Sequence, residues 1–226
     1  YVADLHNPYG EKHESRQDWF PSDAFQSSNA KLAYFVGCTS SYREKEIAIS
    51  TVRILNSLGI EFKILENESC CGSPVYMTGQ VDYARKIAED NVKMFKDSGI
   101  EKIITSCAGC YRALKDVYPK KFGIKHGIEI LHLPEFILRN LKNGTIKFKQ
   151  NLNMKITYHD PCHIGRHMGM YKEPRAVLEE IPGIELVEMN RNKHNAWCCG
   201  SGGGVRSAFK DLSEFAARER IEEAKD

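Results

Sequence analysis

The chain lacks any apolar run near the roughly 20 residues that a membrane helix requires. Its hydrophobic fraction, 42%, is that of an ordinary globular protein. Charge of one sign is also missing: 32 basic residues face 30 acidic ones, a net of +2. That balance gives no push toward nucleic acid, and no basic stripe is visible. The first thirty residues are polar and interrupted by Pro8, Gly10 and Pro21, a pattern unlike the apolar core of a secretory signal. Cysteine is scarce by the standard of disulfide scaffolds, at eight residues in 226 against the roughly 8–10% of such domains.

What is present is an alternation of short strand and helix patterns. Residues 1–30 read as a linker or N-terminal extension, with turn signals at Asn7-Pro8-Tyr9-Gly10 and Phe20-Pro21. Strands are expected at 32–36, 62–65, 102–105 and 128–131, and helices at 47–58, 81–95, 111–117 (ended by Pro119) and 134–141. The pattern then restarts, with strands at 154–158 and 186–189 and helices at 174–181 and from Val205 onward. Alternating elements of this kind imply an α/β fold with parallel sheets. Because strand, cysteine, helix, strand, Cys-Cys-Gly and helix follow one another twice, two duplicated Rossmann-like units are expected. Their cysteine loops would lie at the C-terminal ends of the strands, where such folds keep their sites. The final helix pattern, Leu212 to Lys225, runs on without a capping signal, so the chain reads as a piece of a longer polypeptide.

The eight cysteines are Cys38, Cys70, Cys71, Cys107, Cys110, Cys162, Cys198 and Cys199. They cluster too closely for scattered core residues. Adjacent pairs such as Cys70 and Cys71 bridge each other poorly because the ring is strained. Clustered thiols without a secretion signal point to metal or redox chemistry. Between Cys38 and Cys70 lie 31 residues; 34 more separate Gly72 from the Cys107/Cys110 pair, and 35 separate Cys162 from Cys198. The Cys107/Cys110 pair by itself would equally suit a thioredoxin-like redox site or half a zinc site.

A lone Cys, then Cys-Cys-Gly, then Cys-x-x-Cys at such intervals resembles the motif of the CCG, or cysteine-rich, domain proteins. Residues 31–150 match all five cysteines as a first CCG domain, and 151–226 match the first three as a second one, truncated before its Cys-x-x-Cys. The wording Tyr158-His159-Asp160-Pro161-Cys162-His163 and Cys198-Cys199-Gly200-Ser201-Gly202-Gly203-Gly204 is similar to the catalytic subunits of heterodisulfide reductases. The same domain also occurs in iron–sulfur subunits of glycolate, lactate and glycerol-3-phosphate dehydrogenases. The resemblance implies a noncubane [4Fe-4S] cluster in each complete five-cysteine site. Cys38, Cys70, Cys71, Cys107 and Cys110 would hold one, and Cys162, Cys198 and Cys199 would hold most of a second. Thiolates are the soft ligands such clusters use, and five exceed the four of a cubane or a zinc site.

Further expectations follow from the neighbours. Gly72 and Gly200 would let backbone approach a cluster closely, although a tight turn before a helix explains them too. His159 and His163 would protonate a leaving thiolate, or, more simply, hold the loop by hydrogen bonds. His167, Arg166 and Arg206 are weaker candidates for binding a substrate anion.

The resemblance implies a disulfide or thiol substrate, for instance the heterodisulfide of coenzymes M and B. It also implies an electron-donating iron–sulfur, cytochrome or flavin subunit, and a cytoplasmic location with any membrane attachment made through a partner. Two other readings compete: an electron-transfer subunit of a dehydrogenase, and a structural module in which zinc takes the place of a cluster.

Overall fold

A computed structural model describes residues 1–225. The chain divides into two units, Tyr1–Phe136 and Ile137–Asp226. In the first unit the order is α1 (Val2–Leu5), a 3₁₀ turn (His13–Gln17), β1 (Leu32–Tyr34), α2 (Cys38–Tyr42), α3 (Lys45–Ser57), α4 (Ser73–Met77) and α5 (Val81–Asp97). Then come β2 (Lys102–Thr105), α6 (Ala108–Arg112), a π-helical segment (Ala113–Lys121) and β3 (Glu129–His132). Helix α7 (Leu133–Lys142) follows. The three strands form one parallel sheet in the order β1-β2-β3, with Tyr34 beside Ile104 and Thr105 beside His132.

Side-chain periodicity explains these elements. Helix α5 buries Ala84, Ile87, Ala88, Asn91, Val92 and Phe95, the 3.6-residue stripe of an amphipathic helix. Helix α3 likewise buries Ala48, Val52 and Leu55, while Ile47 stays exposed. Consecutive residues Ile103, Ile104 and Thr105 are all buried, as expected of a parallel strand covered on both faces. Phe35, just beyond β1, meets Phe95 edge to face with ring centres 6.0 Å apart. Each such fully buried side chain contributes about 1.5–3 kcal/mol.

The structure departs from the sequence reading at three places in this unit. Residues 62–65 form only a single bridge, Ala33 to Lys63. The backbone on either side is bound by residues 26 and 27: Ser27 N–H donates to the Phe62 carbonyl, and Ile64 N–H donates to Gln26 Oε1. Pro119 does not end its helix but lies inside the π segment; the Leu114 carbonyl five residues earlier, which Pro119 has no N–H to reach, faces His126 Nε2 at 3.0 Å instead. Residues 1–30, expected as an extension, pack on the first unit and bury Asn7, Arg16 and Trp19. The Asn7 side chain closes this segment's turn through the Leu5 and Glu11 carbonyls and the Tyr9 and Glu11 N–H groups.

The second unit holds β4 (Met154–Ile156), α8 (Lys172–Glu179), β5 (Ile184–Leu186), a 3₁₀ turn (Lys193–Asn195), α9 (Val205–Ala208) and α10 (Lys210–Lys225). Strands β4 and β5 pair in parallel, Met154 beside Ile184, and α8 packs on β5. The helix expected from Val205 is broken at Phe209, whose φ of −138° and ψ of 70° are not helical. The α/β class and parallel pairing agree with the sequence expectation.

Candidate metal centre

In the first unit, β1, β2 and the turn before α4 deliver the cysteines, while β3, ending at the same edge of the parallel sheet, delivers His132. β1 leads through Phe35 and Val36 to Gly37 and Cys38, the first residue of α2. β2 leads through Ser106 to Cys107, which caps α6, and α6 carries Cys110. Cys70 and Cys71 precede Gly72 and α4. The Tyr34 hydroxyl pairs with Ser106 Oγ at 2.8 Å, tying β1 to the Cys107 loop. Gly37 has φ 77° and ψ 159°, a region open essentially to glycine alone. A β-carbon there would come within 3.0 Å of Cys110 Sγ, so the backbone of one cysteine loop rests against the sulfur of another.

None of the eight cysteines forms a disulfide. The five of the first unit lie close enough for each to shift its neighbour's acidity, in the order Cys38, Cys70, Cys71, Cys110 and Cys107. Their acidities diverge accordingly. Cys107 accepts from Cys110 and from the Cys110 and Gly109 N–H groups, and these outweigh burial to bring it down to about 7. Cys71 is lowered by bonds from Cys110 and Cys70 and by the Ser73 N–H. Cys110 is pushed up by donating to Cys107 and Cys71 and by burial. Cys38 is pushed up by donating to Cys70 and by desolvation. Cys70 is lowered by Cys38 but raised more by Cys71 and burial, with a net rise. Gly72 N–H also faces Cys70 Sγ at 3.4 Å.

Among the described residues, no three His, Cys, Asp or Glu groups converge as they would around a single metal ion. The five thiols of the first unit are a soft and partly ionised donor set whose chemistry fits a group of several irons and sulfides.

Buried groups that the sequence reading missed hold this set. Glu68, 1% exposed, accepts from Val36 N–H at 2.8 Å and Gly37 N–H at 2.9 Å, which fixes the Cys38 loop. Arg16 donates to the same carboxylate at 2.6 Å. The Asn91 amide donates to the Cys70 carbonyl and the Tyr118 hydroxyl to the Cys71 carbonyl, each at 3.0 Å. No local motif signals these roles, because each side chain reaches its partner across at least twenty residues of sequence.

In the second unit Cys162, Cys198 and Cys199 are exposed. Gly200 repeats the role of Gly72: its φ is 78° and its N–H faces Cys198 Sγ at 3.3 Å. A β-carbon on Gly200 would meet the Ser213 carbonyl at 2.3 Å, so the turn packs directly on α10. Asp160 anchors the approach to Cys162. It takes two bonds from Arg175, at 2.7 and 2.8 Å, and one from Lys193 N–H at 2.7 Å. Burial alone would raise its carboxyl, but these bonds hold it below the usual value. Arg175 also pairs with Glu188.

His159 Nδ1 accepts from Arg220 Nε at 3.0 Å, which leaves its proton on Nε2. Burial and the neighbouring Arg220 lower its pKa, so the ring is neutral near pH 7. His163 and His167 meet edge to face, 5.9 Å between centres. Arg166 donates to the His194 and Ala196 carbonyls and so braces the loop ahead of Cys198. Arg206 is exposed.

The fold and the gathered thiols together define a cysteine-rich α/β protein. The chain belongs to the CCG cysteine-rich domain family, whose model matches residues 32–115 and 156–226, covering all eight cysteines. The D-type subunit of the dihydromethanophenazine:CoB–CoM heterodisulfide reductase of Methanosarcina acetivorans is 42% identical over 100% of this chain and 56% of its own length. Its counterpart from Methanosarcina mazei is 41% identical over 99% of this chain and 56% of its own. The B-type subunit of the fumarate reductase (CoM/CoB) of Methanothermobacter marburgensis is 37% identical over 87% of this chain and 38% of its own. The chain thus spans about half the length of the heterodisulfide reductase polypeptides it matches. Among the described residues no helix is long and apolar enough to cross a membrane.

Proposed function

We propose that this chain is the cysteine-rich portion of an iron–sulfur oxidoreductase that reduces a disulfide, of the heterodisulfide-reductase kind. The observation that carries the reading is the gathering of five free thiols, four of them buried, at the starts of α2, α4 and α6 in one unit, where they shift one another's acidity. Cys38, Cys70, Cys71, Cys107 and Cys110 are the ligands of a noncubane [4Fe-4S] cluster. Cys162, Cys198 and Cys199 contribute to a second. When bound, such a group supplies the electrons for opening an S–S bond.

The chain's own residues prepare and shelter that chemistry. Cys71 and Cys107 present thiolates without help from a nearby base, because S–H and N–H donors already face them. Glu68, Asn91 and Tyr118 fix the loops so that the sulfurs keep their spacing. His159, neutral and held by Arg220, offers its Nε2 proton as a hydrogen-bond donor to a departing thiolate, and His163 stands one residue beyond Cys162 for the same task. Electrons come from an iron–sulfur, cytochrome or flavin partner subunit, and the location is cytoplasmic, with any membrane attachment through that partner. A relative named EtfAB:quinone oxidoreductase, from Syntrophomonas wolfei, is 32% identical over 88% of this chain and favours a second reading, electron transfer toward quinone.

Electron paramagnetic resonance of anaerobically prepared protein, oxidised with and without a thiol substrate, tests the choice. A paramagnetic signal that depends on the thiol supports disulfide chemistry at the five-cysteine site. A cluster signal indifferent to thiols supports electron transfer alone.

A further inference from the structure

Arg16 lies outside both segments matched by the family, yet it is 2% exposed and points at the cysteines. Its two terminal nitrogens face Cys38 Sγ at 3.8 and 3.9 Å, within the longer reach of hydrogen bonds to sulfur. One of them also holds Glu68 Oε1 at 2.6 Å. Glu68 in turn grips the N–H groups of Val36 and Gly37, so the guanidinium is fixed relative to Cys38 by that cysteine's own loop. The segment that brings Arg16 here is itself tied to the site. Cys70 N–H donates to the His6 carbonyl at 2.8 Å, the Tyr9 and Thr39 hydroxyls pair at 2.8 Å, and Trp19 Nε1 donates to the Arg16 carbonyl at 3.0 Å. Burying a guanidinium is costly unless it is paired. Here the pairing is shared between a carboxylate and a sulfur.

We propose that Arg16 is a positioning residue that sets the redox poise of the group held by Cys38, which makes the N-terminal segment a working part of the site. This rests on the cluster reading above. A buried cation hydrogen-bonded to a ligand sulfur stabilises the reduced, more negative state, and hydrogen bonds to the sulfurs together with burial tune such potentials. The fork of Arg serves both Glu68 and Cys38 at once, which a lysine ammonium cannot reproduce.

The test is a redox titration, followed by electron paramagnetic resonance, of the anaerobically prepared chain as wild type, Arg16→Gln and Arg16→Lys. Arg16→Gln is expected to move the midpoint to a more negative potential by at least a tenfold change in the reduced-to-oxidised ratio, about 59 mV for a one-electron couple. Arg16→Lys is expected to move it the same way by less. An Arg16→Gln protein with the wild-type midpoint overturns the proposal. If Arg16→Gln does not assemble the cluster, a wild-type midpoint in Arg16→Lys overturns it, and a negative shift supports it. A wild-type chain that takes up zinc and no iron overturns the cluster reading itself, and this proposal with it.

Discussion

The Tyr118 hydroxyl donates to the Cys71 carbonyl at 3.0 Å, and the Asn91 amide donates to that hydroxyl at 3.0 Å. The π-helical segment places Tyr118 under the Cys-Cys-Gly turn, and the tyrosine is 1% exposed. Tyr118→Phe keeps the ring but leaves a buried carbonyl without its donor. The expected loss is about 1–3 kcal/mol of stability, read as a lower midpoint in urea unfolding of metal-free protein. An unchanged midpoint would show that this contact does not hold the turn.

Gly37 offers a sharper probe of the site than any ligand substitution. Gly37→Ala forces a side chain into a glycine-only backbone region, costing about 1–3 kcal/mol, and drives its methyl toward Cys110 Sγ. The variant is expected to keep its far-ultraviolet circular dichroism and to bind much less iron than wild type. Full iron content in Gly37→Ala would mean that the Cys38 and Cys110 loops need not approach as they do here.

Much of this arrangement was legible in the sequence, and the illegible parts share a cause. The stripe on α5 and the apolar run of β2 depend on local periodicity, so their places were expected within a few residues. The cysteine intervals grouped the five first-unit thiols together. Arg16 and Glu68 have no such signature: they are 52 residues apart, and each makes sense only beside the other. The same holds for residues 62–65, where Gln26 and Ser27 bind the backbone beside Lys63, and for Pro119, where His126 faces the Leu114 carbonyl that the proline cannot serve. Periodicity sees neighbours along the chain, whereas these features are decided by neighbours across it.

His132, at the end of β3, is 6% exposed, and burial lowers its pKa to about 4. In the unfolded chain a histidine titrates near 6.5. The unfolded state therefore binds more protons between those values, and the fold loses stability as pH falls from about 6.5 to 4, by at most about 3 kcal/mol from this residue. Above 6.5 the effect vanishes. His13 and His159 are shifted in the same direction, so the comparison must be by difference. His132→Leu is expected to flatten the decline in unfolding free energy between pH 6.5 and 4. Parallel curves for wild type and variant would contradict the assignment.

The ion pair under Cys162 titrates lower. Asp160 and Glu188 are both held below their ordinary values, so their contribution is present above the unfolded carboxylate range, about pH 4, and is lost as pH falls through the depressed folded values. Removing one partner of a buried pair costs about 3–5 kcal/mol. Arg175→Met is expected to lower thermal stability at pH 7 and to weaken the further loss below pH 4. If Arg175→Met melts like wild type at pH 7, the Asp160 anchor is not what holds this loop.

The central claim is that the five gathered thiols of the first unit hold an iron–sulfur cluster. The measurement that tests it most directly is iron, acid-labile sulfide and zinc content of anaerobically reconstituted chain, for wild type, Cys71→Ser and Cys199→Ser. At least about four irons and four sulfides per chain are expected in wild type, most of them lost in Cys71→Ser and at least about four irons kept in Cys199→Ser. Zinc without iron in the wild type, or iron that survives Cys71→Ser undiminished, would contradict it.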